Sequence, residues 1–148
     1  MGQLLVRLLR EFRLELLEPG RDAAYPDIRE PHLQIFGNLD VRGIRLTALA
    51  ERAQLSLAAA SELVNELQDL GYLERRPDPT DRRAKLIVPT VRGRQALRDA
   101  RARVVEIEQS WARLVGQERF ASTCRTMQDL LDAINAGDTA GGPAEGQR

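Results

Sequence analysis

Apolar residues recur three and four positions apart at both ends of the chain, a spacing that places them along one face of a helix. From Gln3 to Leu17 the stripe is Leu5, Leu8, Leu9, Phe12 and Leu16, and Glu18-Pro19-Gly20 ends it because proline disfavours helix in its predecessor. Arg21 to Pro31 reads as a polar connection, and Leu33, Phe36 and Leu39 predict a short second helix stopping near Arg42-Gly43. A third helix is expected from Leu46-Thr47 through Gln54, with Thr47 as its cap and Leu49, Ala50 and Ala53 on its apolar side. Ser56 is the expected cap of a fourth, running to about Leu70 with Leu57, Ala60, Leu63, Val64 and Leu67 inward and Gly71 as its left-handed stop. The tight Leu55-Ser56 junction gives this pair helix-turn-helix spacing. Tyr72 to Arg76 and Lys85 to Pro89 are β-prone, and the Pro- and Asp-rich run 77–83 between them predicts a hairpin whose tip carries arginines. After Thr90 a long helical stripe follows (Leu97, Ala100, Val104, Ile107, Trp111, Leu114), then a second one of Phe120, Cys124, Met127, Leu131 and Ile134. Gly137 to Arg148 has few large apolar groups and is expected to be a disordered tail.

The stripes at 1–30 and 90–136 present more apolar surface than the small core between them can cover. Pairing of two copies buries it, so these segments are expected to be dimerisation helices of a homodimer. Leu, Ala, Arg and Glu dominate and aromatic residues are only 4% of the chain, which favours a mainly α fold. The arginines interrupting the first apolar run exclude a signal-peptide core or a membrane span, so a cytoplasmic protein without membrane contact is expected. One cysteine and one histidine exclude a disulfide framework and an ordinary zinc site. They also give no base and nucleophile pair, and phosphate-loop, zincin and dinucleotide signatures are absent, so neither an enzyme nor a cofactor is expected.

The 22 basic and 22 acidic residues cancel, so charge distribution decides what total charge cannot. Arg75, Arg76, Arg82, Arg83, Lys85, Arg92 and Arg94 crowd around the hairpin against Glu74, Asp78 and Asp81. This is the candidate polyanion footprint.

Three runs carry a family resemblance: Leu46-Thr47-Ala48-Leu49-Ala50-Glu51-Arg52-Ala53 with Leu55-Ser56, then Leu67 through Lys85, then Pro89-Thr90-Val91-Arg92-Gly93. Together they resemble the MarR family, most specifically in the Asp78-Pro79-Thr80-Asp81-Arg82-Arg83-Ala84-Lys85 segment. The resemblance implies a winged helix-turn-helix DNA-binding domain at 31–89 with a short β-hairpin wing, between dimerisation helices at 1–30 and 90–136. It also implies a sequence-specific regulator of transcription, a repressor of this type, modulated by a small-molecule effector. The partner would be a pseudo-palindromic double-stranded operator, with recognition helices in successive major grooves and wings in the flanking minor grooves.

Within that frame Arg83 is the wing arginine that enters the minor groove, Asp81 the acid that orients it, and Arg82 and Lys85 phosphate contacts. The recognition helix would present Ser56, Ala58, Ala59, Ser61, Glu62 and Asn65, with no Lys or Arg among them. Ser56 and Ser61 suit phosphates or base edges, Ala58 or Ala59 a thymine methyl, Asn65 adenine, and Glu62 the N4 amino group of cytosine. Glu62 and Glu66 motivate the alternative, a module that keeps the fold but has weakened DNA affinity and binds a small molecule or a protein. Phe12, Tyr25, His32 and Trp111 are candidates for an effector pocket, and Cys124, on an apolar stripe, reads as a buried, inert thiol.

Overall fold

The computed structural model describes residues 1–18 and 24–140, apart from the side chains of Arg82 and of residues 137–140. Helix α1 spans Gly2–Leu17 and α2 Glu30–Asn38; strand β1 is Ile44–Arg45; α3 is Leu46–Arg52 and α4 Leu57–Asp69. Strands β2 (Leu73–Asp78) and β3 (Asp81–Pro89) form the hairpin, followed by α5 (Val91–Val115) and α6 (Gln117–Ala140). The chain divides into two compact units, Met1–Val105 and a second from Glu106 onward, with α5 running from one into the other.

The core of the first unit gathers Ile35 of α2, Ile44 of β1, Leu49 of α3, Val64 and Leu67 of α4, Tyr72, Leu73, Ile87 of β3 and Ala96 of α5. Every helix of the helix-turn-helix therefore contributes its apolar stripe to one cluster. The sheet is antiparallel in the order β1-β3-β2, with Ile44 opposite Ile87 and Leu73 opposite Pro89.

Backbone chemistry explains the ends of α3 and α4. Ser56 caps α4, its hydroxyl accepting from the Ala59 amide at 3.1 Å. Both helices end in a Schellman motif: Leu55 N–H donates to Ala50 O at 2.9 Å, and Tyr72 N–H to Leu67 O at 2.8 Å. The left-handed residue is Gly71 (φ +78°) in α4, but Gln54 (φ +53°) in α3.

Several sequence expectations are corrected. α2 stops at Asn38, not near Arg42-Gly43, because Asp40 takes the next amides into a turn: its side chain accepts from Arg42 N–H and its carbonyl from Gly43 N–H. α3 begins after extended Arg45, which is paired in β1, so Thr47 lies exposed inside the helix and caps nothing. Leu57, in the first position of α4, falls outside the Ala60, Val64 and Leu67 stripe and is 51% exposed. The turn itself is Pro79-Thr80, between the paired Asp78 and Asp81, but the register breaks next to it: Pro77 pairs with Lys85, so 82–84 have no partner on β2. Arg83 stands on β3 within that stretch and not in the turn. The tail expected from Gly137 is helical to Ala140, and 141–148 lie outside the described residues.

Leu4, Leu5, Leu8 and Leu9 of α1 are exposed, as are Met127, Leu130, Leu131 and Ile134 of α6. Among the described residues no helix is long and apolar enough to cross a membrane.

Candidate nucleic-acid interface

The wing is built from its turn. Asp78 is buried, and its Oδ1 accepts the Thr80 amide at 2.8 Å and the Thr80 hydroxyl at 2.7 Å. Its Oδ2 accepts Nε and Nη2 of Arg45 at 2.8 and 2.7 Å. The Thr80 bonds first, then the Arg45 guanidinium, hold the Asp78 carboxyl down at about 2. The clasp ties the hairpin turn to β1, which leads directly into α3. Asp81 plays a different part from the one expected: its Oδ1 accepts the backbone N–H of Arg83 at 3.0 Å, and its Oδ2 lies 3.8 Å from Arg45 Nη2. It orients the Arg83 backbone and leaves the guanidinium to solvent. Asp81, Arg83 and Lys85 of β3 are all exposed, Arg83 within the irregular stretch between the Asp78–Asp81 and Pro77–Lys85 pairs. Arg82 is on the same strand, but its side chain lies outside the described residues.

On α4, Ser56, Ala58, Glu62 and Asn65 are exposed and Ala59 and Ser61 half-buried, so the helix presents the expected face. Its charges differ from a reading of the helix alone. Glu66 is bound by the Arg29 guanidinium and lies 2.9 Å from Nε2 of fully buried His32. The His32 bond first, then Arg29, outweigh burial and lower the Glu66 pKa. His32 Nδ1 accepts from Arg29 N–H at 3.1 Å, so its proton sits on Nε2 and points at Glu66. Arg75 of β2 reaches α4 from outside: Nη1 donates to Asn65 Oδ1 at 2.9 Å and also to Gln68 Oε1. Arg75 belongs to the basic cluster read from the sequence, but its reach to α4 gave no signal there.

A second network holds the wing's base to the segments around it. Tyr72, fully buried, donates its hydroxyl to Asp27 Oδ1 at 2.6 Å; Arg92 donates to Asp27 Oδ2 at 3.0 Å and to Leu70 O at 2.7 Å, with its guanidinium 4.2 Å from the Tyr72 ring centre. Burial, then the bond to Asp27, raise the Tyr72 pKa. Burial alone would raise Asp27, but the Tyr72 bond and Arg92 outweigh it and its pKa is lowered. Tyr25 meets Tyr72 edge-on and donates to Asp99.

Of the four candidates for an effector pocket, His32 lines an open cleft of about 310 Å³ with Asp27, Arg29, Glu66, Asp69 and Leu70. Tyr25 belongs to the tyrosine network, Phe12 is half-buried on α1, and Trp111 is half-buried in the second unit, where Cys124 is also only half-buried. Among the described residues no group of three or more His, Cys, Asp or Glu side chains could hold a metal.

Residues 27–84, from three residues before α2 to the outgoing strand of the wing, match the family model for the MarR family through the helix-turn-helix and the clasped turn just described. Over these residues the chain is similar to the MarR family. Among solved structures it is similar to CouR from Rhodococcus jostii RHA1 bound to p-coumaroyl-CoA, with a TM-score of 0.71 and 25% identity over 90% of each chain. It is similar to wild-type MarR from E. coli in its apo form, with a TM-score of 0.70 and 19% identity over 88% of this chain and 96% of that one. It also resembles the transcriptional regulator Tm0710 from Thermotoga maritima, with a TM-score of 0.62 and 21% identity over 93% of this chain and 96% of that one. No curated protein matches it. As in the MarR family, its architecture is a mainly helical winged helix with a small antiparallel sheet.

Proposed function

We propose that this chain is a cytoplasmic, non-enzymatic regulator of transcription that binds a pseudo-palindromic double-stranded DNA as a homodimer, repressing there and responding to a small-molecule effector. The observation that carries the reading is the wing: a two-residue turn pinned through Asp78 to Arg45, with Arg83 and Lys85 exposed on the strand that leaves it. A cation on a rigid hairpin beside a capped, solvent-facing helix suits a minor groove flanking the major groove that the helix enters. The exposed leucines of α1 and apolar residues of α6 support pairing of two copies, and the reading gives 1–30 and 90–136 to the dimer and 31–89 to DNA. The resemblance to CouR with its bound thioester supports effector control, and the cleft at His32 is a candidate place for it. Pairing of Glu66 with Arg29 and His32 removes one of the two acids that favoured a module with weakened DNA affinity.

The test is selection of bound duplexes from a random pool, followed by titration of the enriched site against salt. Half-sites about one helical turn apart are expected. Arg83→Ala should weaken binding to every sequence and make the log-salt slope shallower by about one for each wing. Retention of no duplex at low ionic strength would overturn the proposal.

A further inference from the structure

The hydrogen bonding of Asn65 carries a prediction about which base it reads. Asn65 is exposed on α4, one turn beyond Ser61, on the face proposed above to enter the major groove. A guanidinium has donors and no acceptor, so the amide atom that Arg75 Nη1 meets at 2.9 Å must be the carbonyl oxygen. Arg75 is itself held in place, because Gln68, further along the same edge of α4, offers Nη1 a second carbonyl oxygen. With Oδ1 turned toward β2, the Nδ2 amino group faces the other way. No hydrogen bond among the described residues engages it.

An asparagine reads adenine by accepting from N6 and donating to N7, which needs both ends of the amide at the base edge. Here the Arg75 bond directs Oδ1 toward β2, so the two ends are not presented together. We infer that Arg75 is a specificity-positioning residue: by holding Asn65 Oδ1 toward β2 it withholds the two-ended geometry that adenine needs and leaves Nδ2 to donate, matched to guanine, whose N7 and O6 both accept. The adenine contact expected from Asn65 in isolation is thereby replaced by guanine. This inference rests on the proposed DNA-binding function.

The test selects duplexes from a random pool with the full-length wild-type protein and with Asn65→Ala, Arg75→Ala and Arg75→Met, the last keeping an apolar stem on β2. The Asn65→Ala profile identifies the base position that Asn65 controls. There the wild type should enrich guanine over adenine by at least about fivefold, the low end of what one good base contact is worth. Both Arg75 variants should shift that position toward adenine by a similar factor while the rest of the site persists. A guanine preference unchanged in both Arg75 variants, an adenine at that position in the wild type, or no Asn65-dependent position at all would overturn the inference. Failure of the wild type to enrich any sequence would instead overturn the DNA-binding function beneath it. In the free protein, a displaced resonance of the Asn65 side-chain amide, set by the bond at Oδ1, should be lost in Arg75→Met. An amide signal identical in the two proteins would refute the clamp independently of DNA.

Discussion

Gly93 is the residue whose replacement best tests how the wing's base is held to α5. An added Cβ would lie 2.0 Å from the Tyr72 carbonyl oxygen, 3.0 Å from its carbon and 3.3 Å from Pro89 Cβ. Carbon and oxygen in close contact stand about 3.3 Å apart, so the first turn of α5 would have to withdraw by roughly 1.3 Å. The same carbonyl accepts the Thr90 amide at 3.0 Å and the Thr90 hydroxyl at 3.2 Å, and that hydroxyl also reaches Gly71 O at 2.7 Å. Withdrawal strains or breaks these bonds, each worth about 1 kcal/mol, and adds an overpacking cost of about 1 to 3 kcal/mol. The helix-propensity gain of alanine over glycine, at most about 1 kcal/mol, offsets part of this. Gly93→Ala should therefore lose about 3 kcal/mol, lowering Tm by roughly 10 °C. Urea unfolding followed by far-ultraviolet circular dichroism, at one fixed protein concentration, measures it as a lower midpoint with an unchanged slope. Gly37→Ala is the internal control: Gly37 is exposed inside α2 with nothing within 4 Å of its added Cβ, and alanine there should stabilise by about 0.5 to 1 kcal/mol. If Gly93→Ala unfolds within about 0.5 kcal/mol of wild type, the close approach does not constrain the junction and the reasoning fails.

Gln54→Gly should stabilise the protein by up to about 1 kcal/mol in the same assay, because a side chain at φ +53° carries a left-handed penalty that glycine escapes, less the extra entropy glycine loses on folding. A loss of stability would show that the Gln54 side chain has a compensating role. Asp78 gives a pH prediction. Its folded pKa, about 2, lies below the unfolded value of about 3.9, so its contribution is complete above about pH 5 and is lost progressively as pH falls through 4 and past 2. Protection of the Thr80 amide from hydrogen exchange should fade through that window, and Asp78→Asn should abolish the dependence; an identical acid profile in the variant would contradict it.

The fold was legible wherever an element was long enough to repeat its period. Ala60, Val64 and Leu67 declared α4, and Ser56 and Gly71 marked its ends, because caps act within a few residues of the chain. β1 was not legible: two residues have no period, and Ile44 and Arg45 become a strand only through Ile87 and Leu86, some forty residues away. That omission also misplaced the cap of α3. The wing shows the same limit in its chemistry. Asp78 and Asp81 are equivalent as letters in a turn, and only the antiparallel register, which brings Arg45 to the hairpin, decides which carboxylate is buried and clasped. Arg75 with Asn65, Arg29 with Glu66, and Tyr72 with Asp27 are likewise tertiary pairs. Each joins elements whose spacing in the chain carries no trace of the contact.

These pairs change what the absence of Lys and Arg on α4 means. With Glu66 bound by Arg29 and His32, Glu62 is the exposed acid in the middle of the proposed DNA face. A carboxylate in a major groove either accepts from the N4 amino group of cytosine or suffers phosphate repulsion with no return. Asn65, one turn minus a residue further on, is exposed on the same side of the helix, so the two groups would address neighbouring base pairs, one as acceptor and one as donor. Glu62→Ala should therefore cost about 1 to 3 kcal/mol of discrimination at one cytosine position and leave affinity for unrelated duplexes nearly unchanged. Competition titrations with single-base variants of the selected site measure this directly. A uniform gain in affinity on every duplex would mean that Glu62 only repels, and the face of α4 would then discriminate through its uncharged residues alone.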